Sequence, residues 1–150
     1  KMYLEMNPPD VDTALRLFKQ AYDADNKSFE ANNNLGSAYL AKKDYKNAIK
    51  FYQNALRLDP SNNTVRSNLA QTYASDAQFD NAKTTYTELI KRDGTNWDAY
   101  VELGKVCMST GDTAGAERYL SEVQTKRPNH RRAEVTELLS ALRSGGIQAK

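Results

Sequence analysis

Apolar and small residues return along this chain at intervals of 34. Leu35, Leu69 and Leu103 share one phase, and each is followed by a small residue, Gly36, Ala70 or Gly104. Four positions beyond the leucines stand Tyr39, Tyr73 and Cys107. An i, i+4 pair of this kind makes an apolar stripe on one helix face. A second set follows: Tyr45, Phe79 and Thr113, then Ala48, Ala82 and Ala116, then Tyr52, Tyr86 and Leu120, then Ala55, Leu89 and Val123. Their spacings of three and four predict a second helix, and the period-two alternation of a strand is absent. A repeat of this length predicts stacked helix pairs that each bury a face against the next.

Polar residues punctuate the pattern. Asp44 and Asp112 precede the second helix and are placed to cap it, whereas Gln78 at the same phase should cap less well. Asp59-Pro60-Ser61-Asn62, Asp93-Gly94-Thr95-Asn96 and Arg127-Pro128-Asn129 close the three repeats as turns. The phase divides the chain into repeats at 29–62, 63–96 and 97–130. Residues 1–28 read as a partial first repeat, mainly its second helix, with Val11, Ala14, Phe18 and Ala21 on the apolar phase behind Asp10. Residues 1–7 would be the tail of a first helix, although Met2 and Glu5 fit poorly. Because Lys1 already lies inside a repeat, the sequence is expected to be a fragment of a longer protein. Residues 131–144 are expected to form a capping helix on Ala133, Val135, Leu138, Leu139, Ala141 and Leu142. Ser144-Gly145-Gly146 should stop it, leaving 145–150 as a flexible tail.

The pattern small/aromatic-x2-Leu-Gly-x2-Tyr, then Ala-x3-aromatic, then Pro is similar to the tetratricopeptide repeat family. The best copy is Asn32 to Tyr39 with Leu35-Gly36, followed by Ala48, Tyr52, Ala55 and Pro60. The resemblance covers about residues 8–143. It implies an all-α, right-handed superhelical solenoid of antiparallel helix pairs, with the first helices lining a concave groove. It also implies a protein-interaction module, a scaffold or adaptor, that holds a peptide segment or partner protein in that groove.

The groove should lie opposite the Leu35/Tyr39 stripe. The exposed set is then Glu30, Asn33, Asn34, Ser37 and Ala41 in one repeat, and Thr64, Ser67, Asn68, Gln71 and Ser75 in the next. In the third repeat it is Asp98, Val101, Glu102, Lys105 and Ser109. Asn33, Asn34, Ser37, Asn68, Gln71, Asp98, Glu102 and Lys105 are the candidate partner contacts. A carboxamide donates and accepts at once, so Asn34 and Asn68 can pair with a peptide backbone. Their shared phase is similar to the asparagine ladder in the repeat domain of the enzyme that attaches N-acetylglucosamine to Ser/Thr. The ladder ends at Glu102. Some family members clamp a C-terminal carboxylate with Lys, Asn, Asn, Lys and Arg. The matching positions here hold Asn33, Ser37, Asn68, Asp98 and Glu102, so acids replace two cations and that mode is rejected. The acids point instead to a neutral or basic segment.

Composition narrows the remaining classes. The chain is 39% apolar and 27% charged, as suits a folded protein, and its net charge of +2 is too small to imply a polyanion partner by itself. No apolar run approaches the roughly 18 residues of a membrane span. One cysteine, Cys107, permits no internal disulfide, and its phase predicts a buried, inert thiol. Lys126, Arg127, His130, Arg131 and Arg132 cluster around Pro128 and read as a solvated turn, with His130 in water. Trp97, at a helix entrance, reads as packing against the preceding repeat. The aromatics fall mostly on core phases, which argues against nucleic acid. No catalytic, metal or cofactor constellation is evident, so the chain is read as non-enzymatic. Two alternatives stand beside groove binding: a spacer or self-associating element with an empty groove, and the adaptor part of a larger enzyme.

Overall fold

A computed structural model describes residues 10–148. It contains eight helices and no strand among the described residues. They are α1 (Val11–Ala24), α2 (Phe29–Ala41), α3 (Tyr45–Leu58), α4 (Asn63–Ser75), α5 (Phe79–Arg92), α6 (Trp97–Ser109), α7 (Thr113–Lys126) and α8 (Arg132–Gln148). The chain divides into two compact units, one ending at Thr72 and the other starting at Tyr73. The reading of residues 1–7, with Met2 and Glu5, lies outside the described residues.

In the first unit α2 packs against both α1 and α3. Leu15, Leu35, Ala38 and Phe51 form its core, with Phe18, Tyr22 and Tyr39 at the edge. Phe51 joins the three helices through its ring. Tyr22 meets it edge-on at 5.3 Å and Tyr39 stacks on it at 5.6 Å, both favoured aromatic geometries. In the second unit α6 packs against α5 and α7, and α8 packs against α7 and, less extensively, α6.

The repeat phases govern burial throughout. Leu35, Leu69 and Leu103 are all buried, and Ala48, Ala82, Ala116, Ala55, Leu89 and Val123 have no exposed surface. The small residue after each leucine lets helices approach closely. A Cβ built on Gly36 would lie 2.7 Å from the Tyr52 ring, and one on Gly104 would lie 2.8 Å from Leu120 Cγ. Cys107 is buried as its phase predicts, and burial pushes its thiol up.

The caps follow from side-chain chemistry. Asp44 accepts from the Asn47 N–H at 3.3 Å and Asp112 from the Gly115 N–H at 2.9 Å, while Gln78 makes no such bond. Asp10 precedes α1 without a side-chain cap. Between paired helices the chain reverses through one left-handed residue per repeat, Lys43, Ala77 or Gly111, each 34 positions from the next. The same bond closes all three reversals, from the N–H of Asp44, Gln78 or Asp112 to the carbonyl of Tyr39, Tyr73 or Cys107.

Two expectations are corrected here. Helix α8 does not stop at Ser144-Gly145-Gly146 but runs to Gln148. Glycine costs a helix about 1 kcal/mol per residue but, unlike proline, keeps its N–H and raises no clash. On α1 the buried residue is Leu15, while Ala21 is exposed.

Candidate binding surface on the first helices

The candidate contacts lie on α2 and α4 in one unit and on α6 in the other. On α2, Asn33 and Asn34 are half-buried and Ser37 is exposed; on α4, Asn68 is half-buried and Gln71 exposed. Among the described residues the Asn34 and Asn68 carboxamides have no hydrogen-bond partner. The Asn68 carbonyl accepts from Thr72 at 2.7 Å, but that is backbone chemistry. The Asn33 Oδ1 atom is shielded from solvent and also lacks a partner among these residues. Neighbouring Asn32 turns inward, donating to the carbonyls of Asn26 at 3.2 Å and Ser28 at 2.9 Å. Ser37 is less available than its phase implies. Its hydroxyl lies 3.0 Å from that of Tyr52 on the paired helix α3.

On α6 the expectation changes more. Val101, expected on the exposed side, has no exposed surface. Asp98, Glu102 and Lys105 are accessible in part, yet all three belong to an ion cluster. Arg131 Nη1 donates to Asp98 at 3.1 Å, and its Nη2 donates to Glu102 at 2.8 Å. Arg131 Nε donates to Glu134 at 2.8 Å. Lys105 sits 3.2 Å from Glu134 and 3.5 Å from Glu102. His130 Nε2 lies 2.9 Å from Asp98. The acids of the third repeat are therefore already paired within their own unit.

The electrostatics agree. Burial pushes the Asp98 carboxyl up, but hydrogen bonds from His130 and Arg131 outweigh it and leave the group below its usual range. Burial likewise pushes the Glu134 carboxyl up, but the bonds from Arg131 and Lys105 outweigh it and leave the group below its usual range. On the Arg131 guanidinium, burial acts downward, and the three carboxylates raise its pKa regardless.

His130 and Arg131 are the residues the sequence reading missed. Treated as a solvated turn, they instead reach back to a helix some thirty positions earlier. The available signal was Asp98 and Glu102 at i, i+4 on one helix face, facing unmatched cations at the next repeat boundary. Lys126 does behave as a helix-end cation, pairing with Glu122 at 2.8 Å. Trp97 is half-buried, its ring 4.9 Å from Tyr100, and it lines a shallow depression with Lys126 to His130.

Two family models, both described as tetratricopeptide repeat, match residues 29–62 and 74–142. The chain belongs to the tetratricopeptide repeat family. It is an all-α solenoid of that family, and solved tetratricopeptide repeat structures resemble it closely. The crystal structure of MamA is 20% identical with a TM-score of 0.76, covering 93% of this chain and 91% of MamA. YrrB, a tetratricopeptide repeat protein with an unusual peptide-binding site, is 19% identical with a TM-score of 0.78, covering 97% of this chain and 73% of YrrB. The first such domain of Spaghetti (RPAP3), bound to the HSP90 peptide SRMEEVD, is 21% identical with a TM-score of 0.71. That match covers 81% of this chain and 94% of that one. No curated protein sequence matches the chain significantly. Tetratricopeptide repeat domains are in general protein-interaction modules without catalytic activity. Among the described residues no group of side chains is placed to hold a metal ion, and no helix is long and apolar enough to cross a membrane.

Proposed function

We propose that this chain captures a neutral, extended peptide segment of a partner protein along α2 and α4, reading its backbone through Asn34, Asn68 and Gln71. The observation that carries this is the pair Asn34 and Asn68. They sit one repeat apart and half-buried, and their carboxamides have no internal partner among the described residues. A carboxamide without an internal partner can take a peptide N–H and C=O at its two ends. Asn33 supplies a further unpartnered acceptor beside them.

Asn34, Asn68 and Gln71 are uncharged amides, which suits a neutral segment. The positions of a carboxylate clamp hold Asn33, Ser37, Asn68, Asp98 and Glu102, which offer no cation to an anionic terminus. The HSP90 peptide bound by Spaghetti is therefore a poor model for this chain's ligand.

Magnitude sets what else must contribute. A net hydrogen bond is worth about 0.5–1.5 kcal/mol, whereas micromolar binding needs about 8 kcal/mol. Leu40, half-buried on α2, is the apolar contact that would add to it.

A library of unmodified peptides selected against the chain tests the reading. Selected peptides should be titrated into the parent protein and into the Asn34→Ala/Asn68→Ala double variant. A loss of about tenfold in affinity is expected, corresponding to roughly 1.4 kcal/mol. Equal affinities would remove both asparagines from the binding surface.

A further inference from the structure

We propose that α8 is an electrostatic latch, a terminal helix fastened by ion pairs at both ends and released by salt while the rest of its unit stays folded. This is independent of whether a peptide binds on α2 and α4.

The apolar hold on α8 is small. Among residues 132–145, Val135, Leu139 and Leu142 are buried and Leu138 is half-buried, whereas Ala133 and Ala141 face solvent. Charge secures the two ends. At the start, Arg131 binds Asp98 and Glu102 on α6 and Glu134 on α8 itself, and Lys105 ties Glu134 back to α6. Farther along, Arg143 Nη2 donates to Glu117 on α7 at 2.8 Å. From α5, buried Tyr86 lies within the field of both Glu102 and Arg131. The cluster thus joins α6 to the start of α8, with Tyr86 of α5 in its field.

Two features make the fastening releasable. The paired side chains are accessible, from 27% for Arg131 to 65% for Asp98, so dissolved ions reach them. The Debye length falls from about 10 Å at 0.1 M salt to about 3 Å at 1 M, which screens such pairs. Arg131 also enters α8 with φ of +48°, a conformation that non-glycine residues seldom adopt unless contacts hold them there. Gly145 and Gly146 further weaken the far end of the helix. Closed, the latch keeps Asp98, Glu102 and Lys105 engaged. Open, it returns them to the first-helix face and uncovers the side of α7 that α8 shields.

Hydrogen exchange read by mass spectrometry on the whole chain, at 50 mM and 1 M sodium chloride, tests this. Amides of residues 133–142 should exchange at least about threefold faster at high salt, with α6 and α7 unchanged. In Arg131→Ala, α8 should exchange faster already at 50 mM and keep only the smaller salt response of the Lys105–Glu134 and Arg143–Glu117 pairs. Arg131→Lys, which keeps a cation beside Asp98, Glu102 and Glu134, should retain part of the protection, which separates loss of the pairs from misfolding. Salt-independent exchange in α8 would overturn the proposal. So would acceleration of α6 to the same degree, because the unit would then open as a whole.

Discussion

Arg131 Nη2 and the Glu102 carboxylate meet at 2.8 Å although 29 positions separate them. Glu102 occupies the phase held by Asn34 and Asn68 in the preceding repeats, so the amide series ends where an internal cation takes over. This pair is measurable. Exposed ion pairs contribute about 0–1 kcal/mol, and both partners here are only partly exposed within a network. Urea unfolding of Arg131→Ala, Glu102→Gln and the double variant should therefore give a coupling energy of about 0.5–1 kcal/mol. Strict additivity would mean that the contact contributes nothing.

The same cluster sets an acid limit. Asp98 and Glu134 both titrate lower in the folded chain than when unfolded, through bonds from His130, Arg131 and Lys105. The unfolded chain therefore binds more protons across this range. The stability these groups confer is complete above the ordinary carboxylate range and is lost as pH falls through that range and below it. Thermal melts from pH 7 to pH 3 should show the parent losing more than Asp98→Asn/Glu134→Gln, with the two curves converging at the acid end.

Close approach at the small-residue phase makes Gly104 sensitive. An added methyl would stand 2.8 Å from Leu120 Cγ and 3.1 Å from its Cδ2, inside van der Waals contact. Gly104→Ala should cost about 1–3 kcal/mol by overpacking. A urea midpoint equal to that of the parent would show that α6 and α7 can separate freely.

The reversal between paired helices offers an improvement. Ala77 has φ of +60° where the third repeat places Gly111 at +80°. A left-handed alanine is strained by about 1–2 kcal/mol, partly offset in Ala77→Gly by the greater freedom of glycine when unfolded. Ala77→Gly should raise stability by about 0.5–1 kcal/mol, and Gly111→Ala should lower it. Denaturant curves of the two variants moving in the same direction would contradict this account.

A missing cap can be supplied. Gln78 shares the backbone conformation of Asp44 and Asp112, with ψ of 71° against 79° and 76°, but forms no cap. Its side chain binds Asp76 and Asn81 instead. Gln78→Asp should stabilise α5 by about 0.5–1 kcal/mol. Slower amide exchange in the first turn of α5 is the direct readout.

The sequence alone determined the helices and the buried positions of the repeat phases. Burial on a helix is a local, periodic demand, so Leu35, Ala48 and Val123 declare themselves by spacing. Capping is equally local, and Asp44, Gln78 and Asp112 behaved as their side-chain chemistry required. Tertiary structure decided what periodicity cannot express. Whether Arg131 meets water or Glu102 depends on how α8 is set against α6, and on a left-handed backbone that re-aims one side chain. Val101 stands on a phase expected to face out, yet neighbours in the folded unit cover it completely. A periodic pattern assigns each residue to a face of its own helix. Which charges on that face find partners is a long-range matter, settled by distances of a few ångströms between segments far apart in the chain.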